Sequence, residues 1–177
     1  MQLYSFQNYT PEISENCYLA PGSQVIGRVK MMEGVNIWFN SVVRGDVNEI
    51  FIGKNTNVQD LCILHVTDKN ALKIGKNVTI GHSAILHACT IEDNCLIGMG
   101  AKILDGSIIG GGSLVAAGSV VPPNKTFPPN SFIIGSPAKR TRELSEEEKQ
   151  AFHNHYKTYL ELTQVYLKEE THRLLSR

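Results

Sequence analysis

Residues 74–121 read IGKNVTIGHSAILHACTIEDNCLIGMGAKILDGSIIGGGSLVAAGSVV, and cutting this run at its large aliphatic residues decides the fold. The blocks are IGKNVT, IGHSAI, LHACT, IEDNCL, IGMGAK, ILDGSI, IGGGSL and VAAGSV, opening on Ile74, Ile80, Leu86, Ile91, Ile97, Ile103, Ile109 and Val115, with Val121 next. The step is six residues, broken once by the five-residue LHACT. The fifth position is small, as Ala84, Cys95, Ala101, Ser107, Ser113 and Ser119, and the second is often glycine, as Gly75, Gly81, Gly98 and Gly110. No helix of 3.6-residue period repeats in this way. One large and one small inward side chain per block, with glycine permitting tight bends, describes short strands meeting at corners, which is a solenoid.

The phase extends upstream through Ile52, Val58 and Leu64, with Cys62 in the small slot and four surplus residues around TDKN read as a loop. This beat resembles the hexapeptide-repeat, left-handed parallel β-helix family over residues 15–138. The resemblance implies the handedness and three faces per coil, about 18 residues a turn. The predicted organisation is a left-handed β-helix domain over 1–140, then a C-terminal amphipathic α-helix over 141–177 packed on it. Between them FPPNSFIIGSPAKRTREL, rich in proline, is expected not to continue the strands. Ser145 with Glu148 forms a capping box, and Phe152, Tyr156, Tyr159, Leu160, Thr163, Tyr166 and Leu167 recur at helical spacing.

Composition narrows the classes of function. Lys plus Arg and Asp plus Glu each total 17, so no electrostatic footprint for nucleic acid or an anionic membrane exists. No apolar run approaches the roughly 20 residues of a membrane span, and MQLYSFQNYTPE lacks a secretion pattern, so a soluble cytoplasmic protein is expected. The four cysteines form no CxxC pair; Cys62 and Cys95 are predicted to fill the core as small apolar groups.

The histidines then acquire positions. With the loop removed, Leu64 and Leu86 lie one coil apart, so His65 and His87 stack at equivalent outward positions. Adjacent strands lie about 4.8 Å apart, and two imidazoles leaning across that gap can span the ~3.3 Å edge of a zinc tetrahedron. His82 is a whole face away along the chain, of order 16 Å at strand rise, with Asp60 one coil below it. A second subunit must therefore supply it, which predicts an interfacial metal site with two ligands from one chain, one from its neighbour and an open fourth position. His153, His155 and His172 show no matching register and are read as ordinary helix residues.

Together RGD at 44–46, NVQD at 57–60, LH at 64–65 and GHxxxLH at 81–87 resemble the γ-class carbonic anhydrases and their hexapeptide relatives. That resemblance implies a homotrimer in which His65 and His87 of one subunit and His82 of the next hold zinc, with iron or cobalt as alternatives. It implies a zinc-dependent enzyme that interconverts carbon dioxide and bicarbonate. Gln59 and Asn57 are expected near the bound substrate, Arg44, Asp46 and Asp60 in charged contacts at the subunit boundary, and Tyr159 of the terminal helix at the pocket. The family's proton-shuttling glutamates sit in acidic loops; here those loops read DVNEI and VTDKNA, leaving Glu49 and Asp68 as the nearby candidates. Two rival functions remain: a hexapeptide acyltransferase or acyl-CoA thioesterase, suggested by GSPAK at 135–139 with one histidine as general base, and a metal-binding homologue with little activity.

Overall fold

The computed structural model describes residues 2–168, so His172 and the end of the tail, 169–177, lie outside the described residues. Its body is a parallel β-solenoid in which strands two or three residues long alternate with bends. One face stacks Val42–Arg44, Ile63–His65, Ile85–His87, Lys102–Ile103 and Val120–Val121. The second stacks Ile50–Ile52, Leu72–Ile74, Thr90–Ile91, Ile108–Ile109 and Thr126–Phe127. The third runs from Tyr18–Leu19 through Asn57–Val58, Thr79–Ile80, Leu96–Ile97 and Leu114–Val115 to Ser131–Gly135.

The block-opening aliphatics fill the bore: Ile52, Val58, Leu64, Ile74, Ile80, Leu86, Ile97, Ile103, Ile109, Val115 and Val121 have no exposed surface. Burying each is worth about 1.5–3 kcal/mol. The small positions are inward as well, and burial pushes the thiols of Cys62 and Cys95 up to about 12, as suits space-filling groups rather than nucleophiles. The corners need left-handed backbone, which asparagine supplies as often as glycine; Asn55, Asn77 and Asn94 form a corner ladder, each amide donating to the next at 3.1 Å. The five-residue block closes its corner on Ala88, at φ 48°, with its N–H donating to the His65 carbonyl. Where Gly27 pairs with Gly45 and Val29 with Ile50, residues 46–49 face Arg28 alone, and the excess bulges outward beside His65. The surplus near TDKN is a turn, with Thr67 N–H donating to the Asn70 carbonyl.

Two expectations need correction. The proline-rich exit does continue the strands: Ser131–Gly135 adds to the third face, then pairs antiparallel with Ala138–Glu143, carrying sheet structure past residue 140. Pro128 and Pro129 fall at the preceding corner and Pro137 at the hairpin turn, where no ladder donor is needed, leaving SFII free to pair. Nor is the tail one helix. It comprises α1 (Glu146–His153), capped by Ser145 and Glu148, and α2 (His155–Lys168), separated at Asn154, a residue type that favours helix ends. The stripe packs on its own chain: Tyr159 and Tyr166 meet the Trp38 ring edge-on at 5.4 and 5.2 Å, and Thr163 is buried, whereas Leu167 is exposed. Among the described residues no helix is long and apolar enough to cross a membrane.

Candidate functional site

The register brings the predicted residues into two clusters. On the first face His65 pairs directly with His87 above and Arg44 below. His65 Nδ1 and His87 Nε2 stand 3.2 Å apart, and each ring's other nitrogen meets a carboxylate: His65 Nε2 is 3.0 Å from Asp46 Oδ1, and His87 Nδ1 is 2.5 Å from Asp105 Oδ1. Arg44 bonds the second Asp46 oxygen. Burial alone would raise the Asp46 pKa, but the hydrogen bonds from His65 and Arg44 outweigh it and hold the carboxyl below its usual range.

The second cluster occupies the corner after Thr79–Ile80. Gly81 precedes His82 because the coils touch there: a Cβ on Gly81 would lie 2.7 Å from the Met99 nitrogen. His82 Nδ1 is 2.8 Å from Asp60 Oδ2, and its backbone N–H donates to Gln59 Oε1 at 3.2 Å. Gln59 Nε2 donates to Asn57 Oδ1 at 3.3 Å, and Asn57 Nδ2 donates to Thr79 Oγ1 at 2.9 Å. Both amides are buried, so this chain of bonds fixes which end of each is oxygen. Tyr159 overlooks the corner from α2, and burial raises its phenol pKa, so it stays a hydrogen-bond donor at neutral pH.

A groove of about 370 Å³ opens between His82 and α2, walled by Leu96, Met99, Leu114 and Ala116 and edged by Gln59 and Tyr159. Its apolar lining beside a few oriented polar groups suits a small, weakly polar substrate. The two clusters remain separate within the chain. Among the described residues no three His, Cys, Asp or Glu side chains converge as a metal-holding group.

Asp105, Thr79 and His155 were missed from sequence. Asp105 was recoverable, because it stands in ILDGSI one coil above LHACT, a single position past the register of His87. Thr79 offered no signal beyond its place in a block. His155 was assigned no role, yet its ring reaches the groove, with Nδ1 3.4 Å from Thr79 Oγ1.

Comparison with known proteins agrees with this fold. A family model described as bacterial transferase hexapeptide (six repeats) matches residues 71–103 and 88–123. A carbonic anhydrase of Geobacillus kaustophilus is 45% identical over 164 residues, 93% of this chain and 90% of that protein. The mitochondrial gamma carbonic anhydrase 2 of Arabidopsis thaliana is 40% identical over 168 residues; the match takes in 92% of this chain but spans only 60% of the plant protein's length. Among solved structures, a hexapeptide transferase family protein from Anaplasma phagocytophilum superposes with a TM-score of 0.88 at 35% identity, covering 93% of this chain and 98% of the other.

Proposed function

The chain belongs to the γ-class carbonic anhydrase-like hexapeptide-repeat family, and from that premise we propose that it is a metal-dependent carbonic anhydrase working in the cytoplasm as a homotrimer. The observation that carries this reading is that each of the three imidazoles has one ring nitrogen on an aspartate, Nε2 in His65 and Nδ1 in His82 and His87. The partners are Asp46 for His65, Asp60 for His82 and Asp105 for His87. A carboxylate on the far nitrogen fixes the tautomer and raises the basicity of a metal-ligating histidine.

The residues fit a tetrahedral divalent ion, zinc foremost. His65 and His87 already hold two nitrogens 3.2 Å apart, close to the ~3.3 Å edge of a zinc tetrahedron. His82, its side chain 43% exposed at another corner, would complete the set from a neighbouring subunit. When bound, an ion with three neutral imidazole ligands supplies a Lewis acid that lets a water ionise near pH 7.

The chain's own groups do the rest. Gln59, pinned by Asn57 and the His82 backbone, keeps an amide N–H for a water or bicarbonate oxygen. Leu96, Met99 and Ala116 offer apolar wall to carbon dioxide. Arg44 neutralises Asp46 and keeps it an acceptor for His65. Tyr159 can donate its hydroxyl to a bicarbonate oxygen.

The solved hexapeptide transferase favours a second reading, in which the groove takes an acyl chain and one histidine acts as base. Stopped-flow carbon dioxide hydration on protein of measured metal content, beside an acyl-coenzyme A hydrolysis assay, separates the two. Hydration in proportion to bound metal is expected; acyl hydrolysis without hydration would replace this function by the second.

A further inference from the structure

Hydration of carbon dioxide makes one bicarbonate and one proton, and the proton must leave the groove before the next turnover. We propose that His155, at the start of α2, is the group that accepts this proton and passes it to solvent; this rests on the carbonic anhydrase reading.

Its position carries the case. His155 and His82 line the same groove from opposite sides, one on the tail and one on the coil corner. The His155 ring stands 3.4 Å from Thr79 Oγ1 through Nδ1, and the residue is exposed, so it touches both the groove and bulk water. Thr79, Asn57 and Gln59 form one hydrogen-bonded line ending on the His82 backbone. The two amides anchor that line and do not conduct protons, so the transfer runs through groove water to the imidazole.

No other group around the groove suits the task. The His82 ring is held through Nδ1 by Asp60, and Tyr159 keeps its proton because burial raises its pKa. Glu49 lines a different groove, with Tyr9 and Arg28. Asp68 stands in the 67–70 turn, where its carbonyl accepts from Asn48. Imidazole is the side chain chemically best matched to proton exchange at neutral pH.

The balance is simple: carbon dioxide and water give bicarbonate and a proton, the proton adds to the His155 imidazole, and buffer removes it.

The test compares metal-loaded wild type, His155→Ala and Asp68→Asn by stopped flow at low and high buffer. For His155→Ala, kcat at low buffer should fall about tenfold or more while kcat/KM holds, and added imidazole should restore it. An unchanged kcat, an equal fall in both constants, or a loss confined to Asp68→Asn overturns the assignment. Wild type that hydrates no carbon dioxide overturns the carbonic anhydrase reading and this inference together. Independently of turnover, diethyl pyrocarbonate at neutral pH should label His155 ahead of His65 and His87, read by peptide mass spectrometry; an unlabelled His155 overturns the proposal.

Discussion

The face bearing His65 and His87 and the corner bearing His82 belong to the same coils, yet they are finished differently. On the face, four side chains close on one another, so Asp46, His65, His87 and Asp105 use every ring nitrogen within the chain. At the corner, His82 spends Nδ1 on Asp60 and its backbone N–H on Gln59, while no bond to Nε2 occurs among the described residues. A parallel solenoid explains the contrast. Equivalent positions of successive coils stack at strand spacing, so a pair is easily built on one face, whereas a third ligand on another corner cannot turn through the core to join it. In the proposed trimer a second copy supplies that third ligand.

The largest expected effect tests that division. His65→Ala and His82→Ala should each abolish bound metal and hydration, because each deletes one of the three proposed ligands. Unfolded together and refolded in equal amounts, the two inactive variants should regain metal and activity at about a quarter of the sites, the fraction of cyclic junctions where an intact His65–His87 pair meets an intact His82. A mixture that stays inactive, although mass spectrometry finds hybrid trimers, would mean that the ligands do not divide between chains.

A middle-sized effect sharpens the same contrast from the face. Asp105→Asn keeps the shape beside His87 Nδ1 but removes the charge, and metal affinity measured by chelator competition should drop about 10- to 100-fold. The same change at Asp60 acts on the corner histidine and should weaken metal by a similar factor. Wild-type affinity in both variants would make the aspartates bystanders.

How legible these regions were follows from periodicity. The histidine stack could be read because a six-residue beat converts sequence separation into spatial register, and Arg44, His65 and His87 align as that beat requires. The corner was half legible: Asp60 and Gln59 follow from the coil below, but His155 arrives from a helix whose docking depends on Trp38 and Tyr18. A helical period reveals which face is apolar and is silent on the strand that receives it. The handedness likewise came from family resemblance, since a period alone does not fix it. The exit was misjudged because prolines mark corners as readily as they break strands in a fold made of corners.

The smallest effect concerns the anchor of the tail that roofs the corner, and it carries a definite sign. The Arg142 guanidinium grips Glu148 through two bonds of 2.6 and 2.7 Å, the Ser145 N–H adds a third, and together they lower its pKa from 4.5 to about 2. A carboxyl with a depressed folded-state pKa favours the folded form fully above 4.5, and that contribution fades as pH falls toward about 2. The start of α1 should therefore loosen across that window and relax the packing of α2 behind it. Trp38 is the only tryptophan and touches both Tyr159 and Tyr166, so its emission reports the docking of α2. Glu148→Gln keeps the capping geometry and discards the charge, so it should lack the acid step and begin, already at neutral pH, where wild type ends. The pair is exposed, and the step should be small and weakened by salt. An identical acid profile in wild type and Glu148→Gln would show that the tail is held by its tyrosines alone, leaving the roof over His82 indifferent to the charge at its base.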